Sequence, residues 1–245
     1  MKAKSEIITK AVEYKDGGIV LEGYLAYDNS TKNLRPGILI VHQWKGLSDY
    51  EKMRAGQLAE MGYVALAADI YGKGIRPSTM EEAGKEAGKF YTDRNLFRER
   101  LKAGLDELMK QEFVDKNNIA AIGYCFGGGG VLELARSGAE IKGAVSFHGS
   151  LSTSNPADAN NIKCKILIQH GAIDPYVKEE DVTAFKKEME DAKVDYVLTE
   201  YSGAVHAFTM ENAGDDPSKG AAYNKNADKR SWEAMKDFFK EIFNQ

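Results

Sequence analysis

A glycine-framed cysteine is the feature that most constrains this chain. It lies in residues 119–130, IAAIGYCFGGGG, where an apolar run ends and a helix-like segment, VLELARSGA, begins. Gly123 and Gly127 stand two positions either side of Cys125, which fits the G-x-nucleophile-x-G turn with Cys in place of the usual Ser. Only glycines at these positions leave room for so sharp a backbone. The pattern therefore predicts a strand, a turn and a helix, with the thiol at the helix N-terminus, where the dipole favours a thiolate.

A glycine-rich turn between a strand and a helix has a second interpretation, because such turns also cradle phosphate groups. The spacing here matches neither G-x-G-x-x-G nor G-x-x-x-x-G-K-[ST], and we therefore prefer the nucleophile interpretation. The chain also contains no H-E-x-x-H motif and no paired Cys/His spacing. We accordingly expect no metal site.

Size and charge narrow the class of protein. With 245 residues, 43% of them hydrophobic, the chain can bury one large core, and we expect a single domain over residues 1–245. The formal net charge is -4 and no block of Lys or Arg recurs, so nucleic acid is not an expected partner. The apolar runs are far too short to span a bilayer, so no membrane is expected either.

The N-terminus and the cysteine content bear on the compartment. The first residues, MKAKSEIITK, lack the apolar core of a secretory signal, so we expect a cytoplasmic protein, although a chain trimmed of its leader would read the same. Cys125 and Cys164 are too few for a disulfide framework and are expected to be separate thiols. Nothing in the sequence indicates an oligomeric state.

Strand-like and helix-like segments alternate along the chain, which predicts an α/β fold with a mainly parallel sheet and helices on both faces. Residues 7–14 and 19–27, joined at Asp16, Gly17 and Gly18, are predicted to form an antiparallel N-terminal hairpin. The further predicted strands are GILIVHQ, YVALAAD, IAAIGY, KGAVSFHG, KILIQHG and DYVLTEY, and the predicted helices are DYEKMRAGQLAEMG and residues 93–111, 126–137, 178–191 and 228–242. The connection over residues 150–161 is too short for a large lid domain, so the cleft above the sheet is expected to be open.

Two polar residues that follow predicted strands can activate the cysteine. A thiol with an ordinary pKa of roughly 8.5 needs a nearby base or cation to be a good nucleophile at neutral pH. His206 follows the strand DYVLTEY, and Asp174 follows the strand KILIQHG, where the acid that orients a catalytic histidine is expected. The order Cys125, Asp174, His206 reproduces the order nucleophile, acid, base of hydrolases with such a sheet.

Simpler interpretations of these residues remain open. Asp174 precedes Pro175 and also suits a turn or a helix cap, and His206 can be an ordinary loop histidine. Their order and spacing favour the catalytic interpretation. Other residues at strand ends are expected to be structural: His42 (or lining the cleft), His148 and His170 bonded to backbone, and Cys164 as a small buried hydrophobe.

Acyl transfer also requires donors for the developing oxyanion. One is expected to be the backbone N–H of Phe126, the residue after the nucleophile, and the other to come from the loop after the third strand, residues 42–46. We assign the second donor to the N–H of Trp44. Gln43 is expected to lie close enough to contact Cys125.

The chain resembles the dienelactone hydrolase family of α/β-hydrolases. The resemblance is carried by the early hairpin and by HQWKGLSDY, GYVALAADIYG, GYCFGG, HGAIDP and VHAF, and it extends over nearly the whole length. It implies an α/β-hydrolase fold and a cofactor-free enzyme that cleaves lactones or small carboxylic esters. The triad would be Cys125, His206 and Asp174, and the intermediate a thioester acyl-enzyme.

Two positions depart from the family pattern in ways that concern the substrate. Gln43 stands where the dienelactone enzyme has a Glu that holds the resting thiol, and Met210 stands where it has an Arg that grips the substrate carboxylate. An amide and a thioether cannot perform those roles. Arg94 and Arg98 are alternative cations, although surface ion pairing is their commoner role.

Three aromatic residues before the long helix, Tyr71, Phe90 and Tyr91, are candidates to line the cleft, and core packing explains them nearly as well. A different class of function also stays open, namely a non-hydrolytic small-molecule-binding or thiol redox-sensing protein. Asp174 and His206 favour the hydrolase, because a sensor needs neither. A cysteine enzyme resembling glutamine amidotransferases is disfavoured by the acid preceding the histidine and by the opening hairpin.

Overall fold

The computed structural model describes residues 6–244. The strands of this part are β1 (Ile7–Asp16), β2 (Ile19–Asp28), β3 (Arg35–Val41), β4 (Val64–Ala68), β5 (Val114–Tyr124), β6 (Gly143–Phe147), β7 (Lys165–Gly171) and β8 (Tyr196–Tyr201). Its α-helices are α1 (Asp49–Glu60), α2 (Met80–Thr92), α3 (Arg94–Met109), α4 (Phe126–Arg136), α5 (Glu179–Asp191) and α6 (Lys225–Phe243). The strands form a sheet in the order β1-β2-β4-β3-β5-β6-β7-β8, mostly parallel with the antiparallel hairpin at its N-terminal end, as the sequence predicts.

Contacts between residues divide the chain into two compact units, one ending at Ala121 and the other beginning at Ile122. The boundary falls inside β5, so each unit contains part of this strand. The single domain expected from the chain length stays a prediction.

The first unit contains the hairpin and the start of the parallel sheet. Asp16 pairs with Ile19 across the two-residue turn, and Gly17 has a φ of +54°, which a glycine adopts without strain. This left-handed first position is typical of the type II′ turn, whose twist suits a hairpin. β4 is buried along its whole length between β2, which is antiparallel to it, and β3, which is parallel. Helix α1 packs on β2 and β4, and helix α3 packs on β1, β3 and β4.

The second unit continues with β6, β7 and β8, each parallel to the next. β6 is fully buried, as expected of a parallel strand covered by helices. Helix α4 packs on β6, and helix α6 packs on β6 and β7. The connection over residues 150–161 contains the short 3-10 helix Pro156–Asn161 and no inserted domain. Within residues 6–244, no helix combines the length and the apolar character needed to cross a membrane.

One helix was not predicted. Residues 80–92 form α2, which the sequence analysis left as a connection ahead of the long helix. Gly84 and Gly88 lower the helix propensity of this segment. The signal that was available is a capping box, because Thr79 accepts from the N–H of Glu82 while the Glu82 carboxylate accepts from the N–H of Thr79. The predicted long helix is α3, which ends two residues earlier than expected.

Candidate active site

Cys125 lies in a strained turn between β5 and α4. Its φ of 54° and ψ of -114° are unusual for a residue with a side chain. Its N–H donates to the carbonyl of Phe147 at 3.0 Å, and its own carbonyl accepts from Gly128 at 3.0 Å. A Cβ on Gly123 would lie 2.0 Å from the carbonyl oxygen of Gly127, so no other residue fits there. The predicted strand, turn and helix are thus all present, and the thiol is half-buried.

Asp174 and His206 meet at the same end of the second unit. Oδ2 of Asp174 lies 2.8 Å from Nδ1 of His206, and the carboxylate is fully buried. Oδ1 of Asp174 accepts from the N–H of Tyr176 at 2.9 Å. Asp174 is therefore both the turn former and the histidine partner that the sequence offered as alternatives. Cys125 acts electrostatically on His206, so the three side chains belong to one cluster.

The surroundings of His206 favour its protonated form. Burial alone lowers the pKa of His206, but the negative charge of a Cys125 thiolate and the hydrogen bond to Asp174 outweigh it and raise the pKa to about 10. A protonated His206 would place a positive charge beside Cys125. Such a cation stabilises a neighbouring thiolate, which is the nucleophilic form of cysteine.

The remaining thiol and one further histidine of this unit are buried. Cys164 is 7% exposed, and burial raises the pKa of its thiol to about 12. Its position at the start of β7 suits the predicted role of a small buried hydrophobe. His170 is also buried, and burial lowers its pKa. Nδ1 of His170 has no hydrogen-bond partner among residues 6–244.

The loop proposed from sequence to hold an oxyanion donor lies in the first unit. Its turn is closed by a hydrogen bond of 3.1 Å from the N–H of Gly46 to the carbonyl of Gln43. The hydroxyl of Tyr71 donates to the carbonyl of Trp44 at 2.8 Å. Tyr71 is only 4% exposed, so we expect it to support the loop through this hydrogen bond and not to contact a substrate.

His42 holds the same loop and has a defined tautomer. The N–H of Ile70 donates to Nε2 of His42 at 3.2 Å, so this nitrogen carries no proton. The proton is therefore on Nδ1, which donates to the carbonyl of Gln43 at 2.5 Å. Burial lowers the pKa of His42 to about 4, which keeps the ring neutral. Of the two roles expected for His42, this geometry supports the structural one.

Glu51 is a buried residue that the sequence analysis missed. One carboxylate oxygen accepts from the N–H of Gln43 at 3.3 Å, and the other accepts from the N–H and the hydroxyl of Ser48 at 2.9 and 2.7 Å. Burial raises the pKa of Glu51. The sequence signal was the capping box Ser48-x-x-Glu51 at the start of α1. A capping box indicates where a helix begins, but it does not indicate that Glu51 also accepts a hydrogen bond from the preceding loop.

The other predicted substrate residues have different degrees of exposure. Phe90 is buried and stacks on Tyr71, whereas Tyr91 is 36% exposed. The guanidinium of Arg94 lies over the Tyr91 ring, 5.0 Å from its centroid, and Nε and Nη1 of Arg94 have no hydrogen-bond partner in the described residues. In the second unit, Met210 is half-buried and its N–H donates to the carbonyl of Ala207 at 2.9 Å.

A protein family and several known proteins match most of this chain. Residues 21–243 match the dienelactone hydrolase family. The crystal structure of a dienelactone hydrolase-like promiscuous phosphotriesterase from metagenomic libraries superposes with a TM-score of 0.92 at 38% identity, covering 96% of this chain and 98% of its own. An uncharacterized protein of Caenorhabditis elegans is 38% identical over 62% of this chain and 98% of its own length.

A putative carboxymethylenebutenolidase of Aquifex aeolicus is 28% identical over 94% of this chain and 96% of its own length. The crystal structure of a putative dienelactone hydrolase from Klebsiella pneumoniae has the same fold. It superposes with a TM-score of 0.82 at 20% identity, over 96% of this chain and 98% of its own. The family match includes the turn at Cys125 and the loops of Asp174 and His206. This chain belongs to the dienelactone hydrolase family and is a hydrolase of the α/β-hydrolase fold.

Proposed function

We propose that this protein hydrolyses small carboxylic esters or lactones with Cys125 as nucleophile, His206 as acid and base, and Asp174 as the residue that orients His206. The observation that carries the proposal is the hydrogen bond from His206 to Asp174 in a cluster with Cys125, which lies at a strained strand-to-helix turn. The relative described as a putative carboxymethylenebutenolidase supports a lactone or ester substrate. The proposed reaction uses no cofactor.

The first half of the proposed reaction transfers the acyl group to sulfur. The Cys125 thiolate attacks the carbonyl carbon, and the new C–S bond forms as the C=O electron pair moves to oxygen. The bond to the leaving oxygen then breaks, and this oxygen takes the proton from Nε2 of His206. Nδ1 of His206 stays bonded to Asp174, which keeps the ring in the orientation that donation needs.

The second half releases the acid. Neutral His206 takes a proton from water, whose oxygen attacks the thioester carbon, and the C–S bond breaks with its electrons returning to sulfur. The products are a carboxylic acid and the original thiolate beside a protonated His206. The pKa of about 10 for His206 supports this ion pair as the resting state.

The oxyanion donors are part of the proposal. We assign them to the N–H groups of Phe126 and Trp44. The position of Phe126 at the first turn of α4 supports its assignment, because helix N-terminal N–H groups face outward. The assignment of Trp44 is supported by its loop, in which Tyr71 and Glu51 hold the peptides on either side. Losing one such donor costs about 2.7 to 4 kcal/mol in the transition state.

Four further residues have proposed roles around the substrate. Tyr71 acts by holding Trp44, and Gln43 provides an uncharged neighbour to the thiol. Tyr91 and Arg94 contact the substrate, and the unpartnered Nε and Nη1 of Arg94 support binding of an anionic group.

The test measures hydrolysis and the covalent intermediate together. Wild type should hydrolyse p-nitrophenyl acetate and short lactones, and rapid quenching should yield a protein carrying one acetyl group on Cys125. Cys125→Ala should lose both signals, while Cys164→Ala, the matched control for a thiol, should keep them. A wild type that hydrolyses none of these compounds but forms a reversible sulfenic acid would favour the redox-sensing alternative.

A second candidate activity is the hydrolysis of activated phosphotriesters. The observation that favours it is the 38% identity, over 96% of this chain, with the protein described as a promiscuous phosphotriesterase. The thiolate would attack phosphorus in place of carbonyl carbon and displace an aryloxide, which takes the proton of His206. Water deprotonated by His206 would then attack phosphorus, and the S–P bond would break to release the phosphate diester and the thiolate. Hydrolysis of paraoxon by wild type and its loss in Cys125→Ala would establish this activity, and absence of turnover in wild type would exclude it.

A further inference from the structure

The loop that carries Asp174 exposes two large apolar side chains. Ile173 is 57% exposed and Tyr176 is 62% exposed, one on either side of the buried acid. Scattered apolar residues on a surface need no explanation, but these two lie beside a proposed catalytic group. A ligand that covers them would remove apolar surface from water.

Tyr176 is held in a defined position against His206. The two rings meet edge to face, with centroids 5.2 Å apart and an interplanar angle of 80°. The N–H of Tyr176 donates to Oδ1 of Asp174, the carboxylate whose other oxygen binds His206. The ring also packs on the backbone of Gly220, where an added Cβ would lie 3.3 Å from the Tyr176 hydroxyl. Tyr176 is thus an exposed aromatic side chain whose position is fixed by contacts with His206 and Asp174.

The chemistry of the proposed reaction decides what this side chain contacts. His206 must protonate the leaving oxygen, so that oxygen lies within hydrogen-bond distance of Nε2. The carbon skeleton attached to the leaving oxygen therefore lies beside the His206 ring. Tyr176, itself exposed, lies against that ring, and Ile173 adds a second exposed apolar side chain from the same loop.

We propose that Tyr176 and Ile173 form the subsite for the leaving group, and that the preferred substrates are esters of aromatic alcohols. This inference rests on the proposed function. An aromatic leaving group stacks on the Tyr176 ring with a gain that corresponds to roughly 2- to 12-fold in kcat/KM. The acyl group of the substrate makes no contact with this subsite.

The order of the reaction makes the subsite separable from the rest of the machinery. The leaving group departs when the thioester forms, so Tyr176 acts on acylation only. Deacylation of the same acetyl-enzyme should be independent of Tyr176. A residue that merely shielded His206 from water would affect both steps, because His206 acts in both.

The experiment compares leaving groups at constant acyl group. Phenyl acetate and 2,2,2-trifluoroethyl acetate are both activated, and only the first has an aromatic leaving group. Tyr176→Ala should lower kcat/KM for phenyl acetate roughly 2- to 12-fold and leave the trifluoroethyl ester within about twofold of wild type. Tyr176→Phe should keep the preference, and Ile173→Ala should lower it less. Val197→Ala is the matched control, because Val197 is 52% exposed on β8.

Three results would contradict the inference in different ways. An equal loss for both esters, or slower deacylation in a single-turnover measurement, would assign Tyr176 to the support of His206 and overturn the subsite. If the effect of Tyr176→Ala on kcat/KM changes when phenyl acetate is replaced by phenyl butyrate, Tyr176 contacts the acyl group instead of the leaving group. If wild type hydrolyses neither ester, or if Cys125→Ala still does, the proposed function fails and the subsite fails with it.

Discussion

The ring of His148 packs edge to face on the ring of His206, with centroids 5.1 Å apart and 66° between the planes. Nε2 of His148 lies 2.9 Å from the hydroxyl oxygen of Thr209, three residues beyond His206, so the predicted hydrogen bond of this ring to backbone is replaced by one to a side chain. His148 is fully buried and has a φ of 40°, which is unusual for this residue type. It therefore connects the end of β6 to the loop that carries the proposed base.

This connection predicts that His148 positions His206. His148→Phe keeps an aromatic ring but loses the bond to Thr209, and we expect kcat to fall about tenfold or more, because small misplacements of a catalytic group are costly. Thr209→Val removes the same bond from the other side and should have a similar effect. The double variant should be no worse than either single one. Additive losses would show that the two residues act separately.

The two thiols should differ in their reaction with iodoacetamide. Cys125 lies beside a histidine whose pKa is raised to about 10, whereas burial raises the pKa of Cys164 to about 12. We expect Cys125 to be alkylated well before Cys164. Peptide mass spectrometry after timed labelling measures both rates, with Cys164→Ala as control. Labelling of Cys164 as fast as that of Cys125 would contradict this prediction.

The pH dependence of kcat/KM should also follow the protonation of His206. Its pKa is raised, so the proton is present below pH about 10 and is lost as the pH rises through that value. We therefore expect kcat/KM for alkyl esters, whose leaving oxygen needs a proton, to decline only near pH 10. Phenyl acetate should decline less, because phenoxide leaves more readily. Initial rates measured from pH 6 to 11 test this, and a decline centred near pH 7 would contradict it.

His42 should make the protein sensitive to acid. Its pKa falls from 6.5 to about 4 on burial, so between these values the unfolded chain binds a proton that the folded protein does not. The free energy of unfolding should accordingly be unaffected by His42 above pH 6.5 and decrease by about 3 kcal/mol as the pH falls to 4. Urea unfolding at several pH values measures this slope. His42→Gln should flatten it, and an unchanged slope would assign the acid sensitivity to other groups.

The loop that holds Trp44 can be tested through Tyr71. Tyr71→Phe removes the hydrogen bond of 2.8 Å to the Trp44 carbonyl while the ring stays buried. If Trp44 donates to the oxyanion, kcat should fall about tenfold, the value of one hydrogen bond. Tyr27→Phe, on β2, is the control and should retain activity. Unchanged kcat in Tyr71→Phe would remove the support for the Trp44 assignment.

Several features of this protein could be predicted from the sequence because they depend on residues close together in the chain. The glycines at positions 123 and 127 indicate the turn at Cys125, since backbone clashes within five residues determine it. The hairpin at Gly17 is determined in the same way by its turn residues. The order of Cys125, Asp174 and His206 along alternating strands and loops predicts that they meet, because strand ends of a parallel sheet lie at one edge.

Other features depend on contacts between residues far apart in the chain, and no local pattern indicates them. His148 and Thr209 are separated by 61 positions, and only the packing of β6 against the following loops brings them together. No sequence feature marks Tyr176. Its position beside His206 depends on Asp174, which accepts a hydrogen bond from the N–H of Tyr176 and binds the ring of His206. The sequence by itself determined the turn, the alternation of strands and helices, and the candidate triad. The tertiary structure alone decided which side chains surround them, because burial and hydrogen bonding over long separations select among residues that look alike in sequence.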